Sequence, residues 1–456
     1  MIKTEFLKNK TYWILLGILI LVFFVSLSYI DLYTTYDRGL LLLDSILSGN
    51  FPHGYFFEGA FYIFIHVILA IWCIPVWILI KLGIVSELSI ICFLWAKLLI
   101  VALTVICALI VVRIMESAKI EGIEFALFLI ISSPLFFLPC FATAQYDTIE
   151  LSMALLAVLF IVKENNLSNK SIIILSIAVS VKFLFVFPAI LALLLYEKRV
   201  LKLIVKTIEL LSVSILMFVI SKLLLVFAPE TGSVELGSEF AKRLFKTSID
   251  GGYFNISVFF LVFFALCIFC YLCTSPNNSH DAAIKISWFV SAVYLAFFSF
   301  VATNENWPML IVCFLIILLI DNKKTIRLNL LLEMIFFISL LFQHICCEKG
   351  GCYINERNFD YLLLKNVEHK AVLGDNCTAA YGILRTIGLD TFLPAITAIM
   401  LAAGVALLII NNPWKKITTE LLCSGEIGIS SNAARVIRLT ILFGYFALQL
   451  LVSFVI

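Results

Sequence analysis

The chain holds 456 residues, 63% of them hydrophobic and 14% charged, with a formal net charge of +2 and a mean hydropathy of +1.11. This composition excludes an ordinary soluble globular protein, and the near-balanced charge favours neither a nucleic acid nor an acidic partner. Apolar residues arrive in runs near the roughly 17–25 residues that a helix needs to cross a bilayer, without the alternation of an outer-membrane barrel.

The first run, Tyr12 to Ile30, reads as a retained anchor, being too long for a signal core and lacking a small-residue cleavage site. Lys3, Lys8 and Lys10 precede it and place the N-terminus in the cytoplasm by the positive-inside rule. Residues 29–60 follow as a first outer loop, in which Asp31, Asp37, Asp44 and Glu58 gather around a single basic residue, Arg38. Between Asp37 and Asn50, the apolar Leu40, Leu41, Leu43, Ile46 and Leu47 predict a short amphipathic helix along the membrane interface. Ala60 to Ser89 is apolar but interrupted by Pro75 and Gly83, and reads either as one crossing or as a dip that returns. Ile90 to Val112 is a clear span that carries Lys97 towards its outer end.

Ile123 to Cys140 runs outward to the turn Phe141 to Glu150, which opens the next helix. Ser171 to Leu195 carries Lys182 and Pro188 in its middle and is followed by the basic flank Tyr196 to Lys202, which predicts two half-helices meeting near Lys182. Further spans are predicted at Leu203–Phe227, Ile256–Cys273, Ile286–Val301, Trp307–Ile320, Leu328–Phe342, Thr391–Ile410 and Val436–Val455. The fold class is therefore an all-α polytopic membrane protein with roughly 11–13 membrane segments. It forms one multi-span domain over residues 1–456, with no soluble domain. Residues 343–390 make a long outer loop, where Cys346, Cys347, Cys352 and Cys377 suggest one or two disulfides if the loop faces an oxidising compartment.

Four constellations carry chemistry. Asp31 and Asp37 are carboxylates at a membrane lip, where one of them could take a proton from an acceptor hydroxyl; a solvated loop residue is the plainer reading of either. Gln145, Tyr146 and Asp147 bring three hydrogen-bonding groups to an apolar boundary, with Thr148 and Glu150 extending the polar face; a first-turn acid complementing the helix dipole is the structural alternative. Lys182 lies too deep in an apolar run to snorkel easily, so it should face a cavity, a carboxylate or a phosphate, whereas Lys97 lies nearer a helix end. Trp307, before Pro308, is either an interfacial belt aromatic or a platform for a sugar.

In this order the pieces resemble the GT-C superfamily of integral-membrane glycosyltransferases, which take sugars from polyprenyl-phosphate donors. Ala144 to Thr148 looks like the Gly-Gln-Tyr-Asp-Ser element of mannosyl- and glucosyltransferase-like members, and Ser180 to Arg199 looks like the segment that follows it. The likeness is best from Tyr29 to Arg199. Ala144 departs from the usual Gly, and the first loop lacks a paired Asp-Asp or Glu-x-Asp. The resemblance implies an extracytoplasmic site that moves a hexose from a polyprenyl-phosphate sugar to an acceptor hydroxyl on a glycan, lipid or protein, with inversion. It implies Asp31 or Asp37 as base, Asp31 being favoured because it directly ends the first span. Gln145, Tyr146, Asp147, Lys182, Lys97, Arg38 and Trp307 would then bind substrate. No cofactor is expected, although a divalent metal is not excluded. A lipid-linked sugar flippase or other transporter is the runner-up, and a polysaccharide polymerase or ligase using His344, Arg357, His369 and Arg385 of the long loop is a third reading.

Overall fold

The computed structural model describes residues 9–27, 30–51, 63–87, 89–227, 238–252, 254–301, 303, 306–346, 386, 388–414 and 428–455. Seventeen α-helices and one short hairpin make up the described residues. In chain order they are α1 (Lys10–Ser26), α2 (Ile30–Leu47), α3 (Ile63–Lys81), α4 (Ile90–Ser117), α5 (Ile123–Ser132) and α6 (Pro134–Phe137), which runs into a π-turn at Leu138–Ala142. There follow α7 (Asp147–Glu164), α8 (Asn169–Lys182), α9 (Val186–Tyr196), α10 (Val200–Phe227) and α11 (Ser238–Phe245). The hairpin strands β1 (Ser248–Asp250) and β2 (Asn255–Ser257) come next, then α12 (Val258–Leu272), α13 (Ser279–Phe300), α14 (Met309–Asp321), α15 (Ile326–Cys346), α16 (Leu393–Ile410) and α17 (Ser431–Val455).

The protein is a multi-pass, mostly helical membrane protein. Six helices among the described residues are long and apolar enough to cross a bilayer, and α5 with α6 and its π-turn adds a seventh if that bent pair is one span. α1, α9, α12 and α14 are apolar but only 10–17 residues long. Among the described residues, several of the runs predicted as spans therefore form helices that are bent or shorter than 18 residues.

Two such breaks have local causes. Ile123–Cys140 reads as one outward run, yet the structure bends it by 66° between Ser132 and Pro134. Ser133 is extended (φ −64°, ψ 123°) because a residue before proline avoids the helical region, and Pro134 starts a new helix. The first span ends at Ser26, with Leu27 extended. A new helix begins at Ile30, seven residues before the predicted amphipathic helix. Asp31 thus lies in the first turn of α2 instead of closing the first span, and its side chain is outside the described residues. Within the run Ala60–Ser89 the described residues hold one continuous helix, α3 (Ile63–Lys81), with Pro75 inside it.

The described chain clusters into two compact units: Met1–Ser28, Val111–Ala142 and Asn277–Ile456 form the first, Tyr29–Ile110 and Thr143–Pro276 the second. The first unit is held by charges sunk in its apolar interior. Glu124 of α5, 2% exposed, accepts from Arg435 Nη2 at 2.6 Å and from Trp13 Nε1 at 2.7 Å. One turn further along α17, Arg438 pairs with buried Glu333 of α15 and donates to the Leu129 carbonyl at 2.7 Å. Asn329 and Asn411 exchange amide hydrogen bonds at 3.0 and 3.1 Å between α15 and α16.

In the second unit α3 meets α4 through a reciprocal tryptophan pair. Trp72 Nε1 donates to the Trp95 carbonyl and Trp95 Nε1 to the Trp72 carbonyl, each at 2.8 Å, with the rings stacked at 5.2 Å. α2 lies against α3 at Gly39, where a Cβ would meet Leu69 and Ala70 at 3.2 Å, so a side chain there would push the helices apart. Truncating Arg438 leaves Glu333 charged and buried alone, which is expected to cost about 3–5 kcal/mol. The double variant Arg438→Met, Glu333→Gln should recover most of that loss in thermal unfolding of the detergent-solubilised chain.

Candidate functional site

The junction predicted near Lys182 is present and has an identifiable cause. Pro188 is the third residue of α9, and its ring would clash with the Leu184 carbonyl in an uninterrupted helix. The chain therefore stops at Lys182, turns through Phe183 in the left-handed region (φ 45°), and restarts at Val186. The Phe183 amide still reaches back to the Val179 carbonyl at 2.9 Å, while the Leu184 amide turns to the carbonyl of Lys182. That leaves the opening amides of a second helix to be satisfied inside the protein, since lipid offers no partners.

The first turn of α7 supplies an acceptor at that end. Ala144 adopts a left-handed conformation (φ 50°), and Asp147 and Glu150 occupy the first turn of α7, three residues apart, both 0% exposed. Glu150 Oε1 accepts from the Phe185 amide at 2.7 Å, so a carboxylate 35 residues upstream caps the start of α9. Asp147 Oδ1 is ion-paired with Lys182 Nζ, their side chains being 0% and 7% exposed. The ammonium also lies 4.8 Å from the Tyr146 ring centroid, over its face. Thr148 Oγ1 and its amide both donate to the Gln145 carbonyl, at 2.8 and 3.3 Å, closing the corner. The second oxygens, Asp147 Oδ2 and Glu150 Oε2, are buried and have no hydrogen-bond partner among the described residues.

A buried apolar cluster of Ile65, Leu69, Leu99, Ile149 and Val181, with Tyr146 packed against it, ties α3, α4, α7 and α8 around this corner. Lys97, 2% exposed, lies on α4 two residues before Leu99. Arg38 and Asp37 are half-buried on α2, with Arg38 within electrostatic reach of buried His66 on α3.

Of the residues expected from sequence, Tyr146, Asp147 and Lys182 are thus in direct contact, with Gln145 buried in the same turn. Asp37, Arg38 and Lys97 belong to the same unit. Trp307 does not: it is a buried residue of the first unit, packed 5.9 Å from Phe297. Residues 347–385 of the long loop, with Cys347, Cys352, Cys377, Arg357, His369 and Arg385, lie outside the described residues, as do Glu58 and the side chains of His344 and Cys346.

Glu150 is the site residue that sequence reasoning underrates, reading it only as extending a polar face. Its signal is the i, i+3 spacing from Asp147 within an apolar helix. Among the described residues no group of three or more His, Cys, Asp or Glu side chains could hold a metal ion. Comparison with known protein families, curated proteins and solved structures finds no match for the chain.

Two substitutions test this geometry. Glu150→Leu leaves the Phe185 amide without its acceptor and is expected to cost about 1–3 kcal/mol, whereas Glu150→Gln keeps an acceptor oxygen and should cost distinctly less. Both are read from thermal denaturation in detergent. Ala144→Gly relieves a left-handed backbone worth about 1–2 kcal/mol, set against about 0.8 kcal/mol for one buried methyl, so stability should stay level or rise.

Proposed function

We propose that the protein is a GT-C-type glycosyltransferase that moves a hexose from a polyprenyl-phosphate sugar to an acceptor hydroxyl at the extracytoplasmic face. The observation that carries this reading is the placement of Lys182. Its ammonium is held by Asp147 over Tyr146, at the junction of two half-helices in an otherwise apolar interior. An ionisable residue buried in an apolar interior is costly even when paired and marks a candidate site for a polar ligand, and a lipid-linked phosphate is such a ligand.

In this mechanism a carboxylate of α2, Asp31 or Asp37, takes the proton of the acceptor hydroxyl as its oxygen attacks the anomeric carbon. The bond from that carbon to the phosphate oxygen breaks, its electron pair leaves with the polyprenyl phosphate, and the configuration inverts. Lys182, with Lys97 and Arg38, offsets the charge that develops on the leaving phosphate. The Asp147 carboxylate, paired through Oδ1 with Lys182, keeps Oδ2 as an acceptor that suits a hydroxyl of a sugar, and the Glu150 carboxyl lies beside it with Oε2 available for a further hydrogen bond. Gln145 and Tyr146 complete the face that orients it.

A lipid-linked sugar flippase is the second reading. Interrupted helices in both units, at Ser133 and at Phe183–Phe185, suit a transporter whose substrate sits where helices break.

The assay is transfer from polyprenyl-phosphate hexoses to added acceptors by the purified chain in lipid. Asp31→Asn, Asp37→Asn together should abolish transfer, and Lys182→Met should lower kcat/KM by about 10²–10³-fold. Full transfer by the double Asn variant would refute the assigned base. Movement of labelled lipid-linked sugar across vesicles without any transfer would favour the flippase.

A further inference from the structure

Between α10 and α12 the second unit carries a small structured segment that the transferase reading does not use. α11 ends in Lys242, Arg243, Leu244 and Phe245, and Lys246 leads into the β1–β2 hairpin. The hairpin pairs Ser248 with Ser257, Ile249 with Ile256 and Asp250 with Asn255. It is bound to α11 by Ser257 Oγ, which donates to the Leu244 carbonyl at 2.7 Å, and by the Val258 amide on the Thr247 carbonyl at 3.0 Å. Helix and hairpin are therefore tied to each other, and Leu244 is buried.

What this piece presents outward is unusual for a loop. Phe254 is 68% exposed, Phe245 58% and Ile249 51%. Lys242 and Lys246 are exposed and Arg243 is half-buried, while the hairpin's acid, Asp250, turns its carboxylate onto the Gly252 amide at 2.8 Å. Large apolar tips beside clustered cations are what an interfacial segment shows to a bilayer. The hairpin also runs straight into α12, an apolar helix whose Leu261, Phe264 and Ile268 are exposed in a chain that spans the membrane.

Its depth can be read from contacts within the unit. Phe187, in the first turn of α9, packs on Phe259 and Phe263 at 4.9 and 5.1 Å, while Cys270 Sγ reaches the Leu191 carbonyl and Ser275 Oγ the Leu195 carbonyl. α9 and α12 thus run in the same direction, and the hairpin lies at the end where α9 begins, beside the junction that holds Lys182. We infer that α11 and the β1–β2 hairpin form a membrane-surface anchor whose partner is the anionic phospholipid headgroups of the leaflet nearest the Lys182 junction. Phe245, Ile249 and Phe254 enter the acyl boundary, and Lys242, Arg243 and Lys246 meet the phosphates. The inference rests on the chain being a membrane protein and is independent of the transferase reading.

The test is hydrogen exchange of backbone amides 242–256 in the full chain reconstituted in nanodiscs, with no sugar donor present. Moving from phosphatidylcholine to discs containing phosphatidylglycerol should slow exchange by roughly tenfold, since each cation at an anionic surface contributes a factor of about five at most. Lys242→Gln, Arg243→Gln, Lys246→Gln should lose that increment, and Lys246→Gln alone, an exposed position, should lose part of it with folding intact. A Phe254→Trp variant should be quenched by bromine-labelled acyl chains. Equal exchange in both lipids, equal protection in dodecylmaltoside, or an unquenched tryptophan would overturn the proposal. None of these results bears on sugar transfer, so the two readings fail separately.

Discussion

The second unit depends on how it satisfies a helix end buried inside the protein. An uninterrupted helix is self-sufficient in lipid, but Pro188 forbids one between Lys182 and Val186, and the opening amides of α9 must find an acceptor within the protein. Glu150 supplies it and thereby becomes buried. Asp147, one turn of α7 earlier, is buried with it, and Lys182, the last residue before the break, is positioned to pair with it. A backbone constraint thus concentrates two carboxyl groups and one ammonium at one point, and that concentration makes the junction a candidate site.

The first unit meets a similar electrostatic cost without a break of this kind. Arg435 and Arg438 stand one turn apart on α17, each facing a glutamate on a different helix. Burying such pairs gains little net stability over apolar packing, but losing one partner is severe. The pairs therefore act as register marks: α17 can slide along α5 and α15 only by separating both ion pairs at once. Tyr12, Phe125 and Phe128 around the Arg435 guanidinium add attraction to that position.

How much of this is legible in sequence depends on whether the cause is local. The Lys182 junction is readable because a lysine and a proline in one apolar run conflict with a single span. The bend at Ser133 has an equally local cause, the Ser-Ser-Pro step, yet hydropathy alone reads through it. The position of Asp31 is not readable, since nothing in Tyr29 to Tyr36 says that helix resumes at Ile30. Arg435 directly precedes the predicted last span and Arg438 lies in its first turn, and only tertiary contact with Glu124 and Glu333 shows how their charges are met in the interior. Ala144 shows the converse: its departure from glycine is plain in the sequence, but its cost becomes visible only with φ at 50°.

The charge balance at the junction constrains what can complete it. Lys182 engages one oxygen of Asp147, and the Phe185 amide one oxygen of Glu150, which leaves Asp147 Oδ2 and Glu150 Oε2 as acceptors. A group carrying further negative charge beside the Asp147 carboxylate would be repelled, because like charges repel most strongly at low dielectric. Hydroxyl donors would be stabilised there. In the proposed reaction the phosphate would therefore lie on the Lys182 side and the neutral sugar on the acid side. The proposed donor, a lipid-linked sugar, would offer those two ends in one molecule, at the distance of a single glycosidic oxygen, to a junction that sets one cation beside two acids.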